Sequence, residues 1–246
     1  MSLVWITGAS QGLGRATALD HADAGWQVVA SARSSQRLGD LVAARPAIIS
    51  HPLDVTDRAA THAAVAAIEA EYGPIDRAVL NAGTHQPMAV DAFDATVFDQ
   101  LFALNVGGVV NCLAALVPRM VARRQGNIAL VSSVAGYRGL PTAAAYGATK
   151  AALINMAESL AMDLKPFGVR VQLVNPGFIR TPLTDRNDFA MPALMEPDVA
   201  ARRLRQGLDS GRFEVTFPKR FTWVLKALRL LPNAIYLPLI ARSTRR

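Results

Sequence analysis

The sequence predicts an α/β fold: a single domain on a doubly wound, mostly parallel, seven-stranded sheet with helices on both faces. Three observations predict it. Short apolar runs alternate with helix-length segments, the pattern of a parallel sheet whose crossovers are helices. The first apolar run passes at once into a glycine-rich turn and a helical pattern. The chain has 246 residues, 51% of them apolar, enough for one sizeable core.

The elements follow in order. Residues 3–6 form the first strand, followed by the turn Thr7-Gly8-Ala9-Ser10-Gln11-Gly12-Leu13-Gly14 and a helix. Residues 27–31 and 47–50 read as the second and third strands, and the alanine-rich stretch 60–72 as a helix stopped by Gly73-Pro74. Residues 75–80 and 126–132 are the fourth and fifth strands. A long helix over 144–165 ends at Pro166 and Gly168, residues 169–174 make the sixth strand, Pro197 opens a helix to about Leu208, and 213–217 is a last strand. No internal repeat or linker divides the chain. Residues 1–218 therefore read as one domain, with 219–246 as a basic amphipathic extension.

Strand, glycine-rich turn and helix N-terminus together make a phosphate site, because unpaired N–H groups and the positive end of the helix dipole converge there. The spacing is Gly8-x-x-x-Gly12-x-Gly14, which differs from the general Gly-x-Gly-x-x-Gly dinucleotide fingerprint of Rossmann-type folds. On the long helix, Tyr146 and Lys150 lie four positions apart and share one face. A fixed ammonium near a phenol favours the phenolate, so the pair predicts a tyrosine of lowered pKa acting as general acid or base. Thirteen residues before the tyrosine, Ser133 ends the fifth strand and could hold a substrate oxygen against it. Ser132 is the neighbouring alternative.

At the end of the second strand the sequence reads Ala30-Ser31-Ala32-Arg33-Ser34-Ser35, without an acid. An acidic residue there would accept the ribose 2′-hydroxyl of NAD, whereas a basic one accommodates a 2′-phosphate. Arg33 therefore favours NADP(H) over NAD(H), although it could instead cap a loop or stack on adenine.

These motifs resemble the short-chain dehydrogenase/reductase family over roughly residues 3–216. The likeness comprises the Thr7–Gly14 turn, Asp54-Val55, Asn81-Ala82-Gly83, Asn105-Val106-Gly107, Ser133, Tyr146-x-x-x-Lys150 and Pro176-Gly177-x-Ile179-x-Thr181. The family often has Asn-Asn-Ala-Gly where this chain has Leu80-Asn81-Ala82-Gly83. The resemblance implies that Gly8, Ser10, Gly12, Leu13 and Gly14 line the pyrophosphate, Asp54 and Val55 meet adenine, and Asn81, Ala82 and Gly83 border the ribose. It implies also that Pro176, Gly177, Ile179 and Thr181 reach the nicotinamide, that Tyr146 and Lys150 contact the cofactor, and that Asn105 holds a relay water reaching Lys150. The expected activity is hydride transfer between nicotinamide and a carbonyl or secondary alcohol, with Asn105, Ser133, Tyr146 and Lys150 as the catalytic set. A silent NADP(H)-binding sensor or scaffold of the same fold is the alternative, and an epimerase or dehydratase a further one for which no added motif is present.

Composition narrows the rest. Cys112 lies in an apolar stretch and reads as a core residue, and His21, His51, His62 and His85 have no metal-ligand spacing, so no metal is expected. The first residues run straight into a strand with no secretory signal, which makes the cytoplasm the expected location. Segments 84–90, 134–140 and 178–194 are the expected substrate-facing parts. The last, with Met195 just beyond it, carries Phe178, Leu183, Phe189, Met191 and Leu194, suiting a lipophilic small molecule, while Arg138 and Arg186 could meet an anionic group.

Residues 215–246 hold seven Lys or Arg and no acid, which accounts for the whole net charge of +7. Phe221, Val224, Leu225, Leu228 and Leu231 would share one helical face there. No run approaches the ~20 residues of a spanning helix. The extension could pack over the cleft or a neighbouring subunit, the resemblance implying a homodimer or homotetramer, or lie peripherally on an anionic membrane. No motif for nucleic acid is present.

Overall fold

The computed structural model describes residues 1–186 and 191–243. Seven strands form one wholly parallel sheet in the order β3-β2-β1-β4-β5-β6-β7: β1 Leu3–Thr7, β2 Gln27–Ser31, β3 Ile48–Ser50, β4 Arg77–Leu80, β5 Gly126–Val131, β6 Val169–Pro176 and β7 Glu214–Phe217. The helices are α1 Gly12–Asp23, α2 Ser35–Ala44, α3 Arg58–Tyr72, α4 Ala95–Phe102, α5 Gly108–Arg123, α6 Ala144–Leu164, α7 Pro197–Asp209, α8 Lys219–Arg229 and α9 Asn233–Ser243.

The inner strands are apolar on both faces because helices cover both. Trp5, Leu80, Ile128 and Leu130 turn toward α3, α5 and α6 in one core layer, while Val4, Ile6, Val28 and Val79 turn toward α1, α2 and α7 in the other. Cys112 is buried on α5, and burial pushes its thiol up to about 12, the state of an inert core thiol.

Element ends differ from the sequence expectation where a partner decides them. Helix α3 begins at Arg58 rather than residue 60 because the Asp57 side chain accepts the Ala60 N–H at 2.9 Å. Strand β6 runs on to Pro176 because β7 offers Thr216 and Phe217 as partners for Asn175 and Pro176. Strand β4 starts only at Arg77, since the Ile75 N–H is taken by the Glu69 side chain at 3.1 Å.

Helices α4 and α5 join through a π-helical turn, Ala103–Gly107. The continuous stretch Ala95–Arg123 is long and apolar enough to cross a membrane, yet half of its most apolar window is buried inside the fold, as a core helix would be.

The sheet order reverses between β1 and β4, each of which pairs in parallel with the other. That reversal opens a crevice at the carboxyl ends of the strands, where open α/β sheets bind ligands.

Candidate active site

A cleft of about 390 Å³ occupies this crevice, lined from the loops that leave six successive strands. Gly8, Ser10, Gly12, Leu13 and Gly14 come from the turn after β1, and Arg33 from the end of β2. Asp54 and Val55 follow β3, and Asn81, Ala82 and Gly83 follow β4. Ser133 follows β5, and Pro176, Gly177, Ile179 and Thr181 follow β6, while Tyr146 and Lys150 enter from α6. Of the residues expected to be catalytic or cofactor-binding, Asn105 alone is not among those that line the cleft. Gln11, Ser34 and Arg37 line it without having been assigned a role, and Thr84, from the expected substrate-facing segment 84–90, lines it too. Arg37 lies in the first turn of α2, four residues beyond Arg33, and a second basic residue so close to the first was the available signal.

The glycine-rich turn is held by contact as well as conformation. Gly8 has φ +68°, a region where a side chain is strained. A Cβ on Gly14 would lie 2.2 Å from the Gly8 carbonyl and 2.5 Å from the Asn81 side chain. The Asn81 amide in turn donates to the Thr7 carbonyl at 3.1 Å, and the Thr7 hydroxyl accepts the N–H groups of Asn81 and Ala82 at 3.0 and 3.1 Å. One asparagine and one threonine thus lock two loops together and leave the N-terminus of α1 open to an anion.

At the outer end of the cleft no acid follows β2, and Arg37 donates to the Gln11 side chain. Asp54, although burial raises its pKa, is held below the usual carboxylate range by hydrogen bonds from Thr56 and by the nearby Arg33.

At the inner end three side chains converge. Ser132 and Ser133 both reach the cleft, but the Ser132 hydroxyl donates to the buried carbonyl of Lys150 at 2.7 Å. Ser133 accepts the Ala135 N–H at 3.1 Å and keeps its proton for another acceptor. The Lys150 ammonium donates to the Val131 carbonyl at 3.0 Å and lies 5.6 Å from the Tyr146 ring centre. His85 packs edge-on against the same ring, 4.5 Å between centres.

Burial moves both ionisable groups. The Lys150 ammonium is pulled down to about 8 by desolvation. Tyr146 is raised by desolvation, with the Ser133 hydroxyl pulling the other way. This is opposite to the lowered tyrosine expected from the Tyr146–Lys150 spacing. In the protein alone the burial of the phenol outweighs the Ser133 hydroxyl, and the ammonium is engaged by the Val131 carbonyl.

Asn105 is wholly buried in the π-helical turn. Its amide accepts the Thr84 N–H at 2.8 Å, donates to the Thr84 carbonyl at 3.0 Å and donates to the Thr149 hydroxyl at 3.1 Å. A Cβ on Gly83 would lie 3.1 Å from its oxygen and 3.7 Å from the Lys150 ammonium, so the cleft floor at Gly83 adjoins both.

Two sequence expectations about the surroundings are corrected. Arg138 does not face the cleft: it donates to the carbonyls of Leu228 and Leu231 at 3.1 and 2.6 Å and to the Asn233 side chain, with its guanidinium 3.9 Å above the Tyr236 ring. Val224 does not share the packed face of α8. Thr222 is fully buried there, and Phe221 and Leu225 pack on the core, leaving Val224 on the outside at 57% exposure. The extension therefore packs on its own domain by one face. Glu214, which the sequence did not mark, anchors it: the Tyr137 hydroxyl and Asn175 amide donate to one carboxylate oxygen at 2.6 and 2.8 Å, and Lys226 pairs with the other. In the expected lid, the Arg186 side chain and Phe189 lie outside the described residues. Leu183 lines the cleft, and Met195 bridges to Ile179.

Topology, cleft and residue set together define the class: an oxidoreductase that binds a nicotinamide dinucleotide on a parallel sheet. Comparison with known proteins agrees. The model of the short chain dehydrogenase family matches residues 2–190. An uncharacterized oxidoreductase of Myxococcus xanthus is 38% identical over 94% of this chain and 93% of its own. The 3-oxoacyl-(acyl-carrier-protein) reductase FabG of Thermotoga maritima is 36% identical over 74% of this chain and 75% of its own. A short-chain dehydrogenase from Streptomyces avermitilis superposes with a TM-score of 0.81 at 31% identity, covering 100% of this chain and 99% of the other. The chain belongs to the short-chain dehydrogenase family.

Proposed function

We propose that this protein is an NADP(H)-dependent reductase of carbonyl groups, or the corresponding dehydrogenase of secondary alcohols, acting on a lipophilic small molecule. The observation that carries it is the meeting of Ser133, Tyr146 and Lys150 in one cleft with the glycine-rich turn. The residues present fit the dinucleotide. The close approach at Gly14 leaves backbone for a pyrophosphate, and the outer end offers Arg33, Arg37 and Ser34 rather than a carboxylate at the end of β2.

When bound, the cofactor supplies or accepts the hydride. The Ser133 hydroxyl donates to the substrate oxygen and holds it beside the tyrosine. Tyr146 gives its proton to that oxygen in reduction and takes it back in oxidation, and its raised pKa makes the protonated phenol the resting form at neutral pH. Lys150, fixed by the Val131 carbonyl, holds the ribose hydroxyls and steadies the developing phenolate. The Asn105 side chain is taken by Thr84 and Thr149, which leaves the main chain of its π-helical turn to hold a relay water. General acid–base help of this kind contributes about 10²–10⁴-fold.

Leu104, Ile179, Pro182 and Leu183 line the cleft and support an apolar substrate. The Thermotoga relative makes 3-oxoacyl thioesters the first class to try. Exposed Phe93, Phe102 and Val110, in or beside α4 and α5, support self-association as a dimer or tetramer. The test is NADPH oxidation across ketones, aldehydes, quinones and 3-oxoacyl thioesters, with NADH in parallel. Tyr146→Phe is expected to bind NADPH as the parent does and to lose nearly all turnover; substantial residual activity overturns the assignment.

A further inference from the structure

Residues 215–246 carry seven basic side chains and no acid. In the described part, residues 215–243, the fold sorts side chains by face. Helices α8 and α9 are 11 residues each, parted at Pro232. On the inner side, Thr222 and Tyr236 are buried, and the Tyr236 hydroxyl donates to the Gly139 carbonyl at 2.9 Å. A helix turns about 100° per residue, so Trp223 and Val224 fall away from the face centred on Thr222 and Leu225. They are 69% and 57% exposed, and Leu230, Ile235 and Leu237 are exposed by 84%, 53% and 60%. Beside them, Lys219, Arg220 and Arg242 have no acidic partner among the described residues, whereas Lys226 is paired with Glu214.

A pair of consecutive helices with exposed apolar side chains, a tryptophan among them, and with cations but no acid of its own has the make-up of an interfacial surface. We propose that the outer faces of α8 and α9 dock peripherally on an anionic lipid bilayer, with Trp223, Leu230 and Leu237 entering the boundary between headgroups and acyl chains and Lys219, Arg220 and Arg242 meeting lipid phosphates. Charge selects this occupant. In a two-fold contact between copies the same surface meets itself, which would set two wholly basic segments against each other. An anionic bilayer instead complements them. The face is preformed, since Arg138, Glu214 and Tyr236 hold the helices from behind. From its inner side α8 also reaches toward the cleft: Phe221 lies against Phe178 with 5.7 Å between ring centres, next to the cleft-lining Gly177. This inference is independent of the hydride-transfer reading.

Removing the extension would uncover the core beneath Phe221 and Leu225, so the test uses outward-facing substitutions in the full chain. Protein is sedimented with vesicles of phosphatidylcholine alone and of phosphatidylcholine mixed equally with phosphatidylglycerol, at low and high salt. Binding to the anionic vesicles only, weakened by salt, is expected. Lys219→Gln with Arg220→Gln should weaken it about thirtyfold, a little over fivefold per charge, and Trp223→Ser with Leu237→Ser should abolish it. NADPH affinity and the far-ultraviolet circular dichroism spectrum report that each variant is folded. The proposal is overturned if the parent ignores anionic vesicles at low salt, or if both double variants bind as the parent does. It is equally overturned if the parent is an oligomer that Trp223→Ser with Leu237→Ser converts to monomers, because a second copy is then the occupant.

Discussion

The hydroxyl of Ser132 is spent on the main-chain carbonyl of Lys150, 2.7 Å away, so one strand end presents two adjacent serines with different duties. Ser132 fastens the end of β5 to α6, and Ser133 faces the cleft with Tyr146 and Lys150. Ser133→Ala is expected to lower kcat/KM by about 10²–10³, the loss typical of one donor at a developing oxyanion. Ser132→Ala should keep most of that activity and lose about 1 kcal/mol of stability. Steady-state kinetics and urea unfolding of both variants check the division, and equal kinetic losses would refute it.

The outer end of the cleft predicts cofactor choice. Arg33→Ala and Arg37→Ala should each raise the KM for NADPH by about 10–100-fold, from the loss of a charge-assisted hydrogen bond, with little change for NADH. Parallel titrations with the two cofactors decide it, and equal effects on both would remove the 2′-phosphate assignment.

Lys150 predicts a trade of stability against function. Its pKa is lowered from 10.5 to about 8 in the fold, so between those values the unfolded chain holds the proton that the folded one has lost. Stability therefore declines as pH falls from about 10.5 to about 8, and the full loss, about 3 kcal/mol, persists at neutral pH. Lys150→Met should gain about 1–2 kcal/mol at pH 7, after loss of the bond to Val131, and be inactive. Thermal unfolding at pH 7 and at pH 10.5 should show the gain shrinking at the higher value.

His21 predicts an acid limb. It is fully buried, with Nδ1 2.9 Å from the Thr17 carbonyl and Nε2 beside Arg77, and burial lowers it from 6.5 to about 4. Below pH 6.5 the unfolded chain takes up a proton that the folded chain refuses. Stability is thus lost from about pH 6.5 down to about pH 4, by about 3 kcal/mol in all. His21→Gln should flatten that limb in urea unfolding between pH 4.5 and 7.5.

Much of this was legible because each strand is a short apolar run bounded by turn residues, and because the site residues sit where strands end. Chain order alone therefore put Gly14, Asn81, Ser133 and Pro176 at one edge of the sheet. What was not legible depends on distant partners. The end of β6 is set by Thr216 and Phe217, about forty residues on. Glu214 acquires its role from Tyr137, Asn175 and Lys226, and Arg138 from carbonyls roughly ninety residues away. The raised pKa of Tyr146 reflects enclosure, which helical spacing does not report. Val224 was misplaced because five apolar residues can describe a stripe wider than the face a helix buries.

The grip of Arg138 on Leu228 and Leu231 has a consequence for synthesis. A ribosome that has already delivered Ser133, Tyr146 and Lys150 has yet to deliver the carbonyls that Arg138 needs. The Arg138 side chain stays untied until the last helices emerge, so these cleft residues exist before this part of the frame around them. A translation stall near residue 220 would leave a chain with Ser133, Tyr146 and Lys150 in hand and this fastening undone.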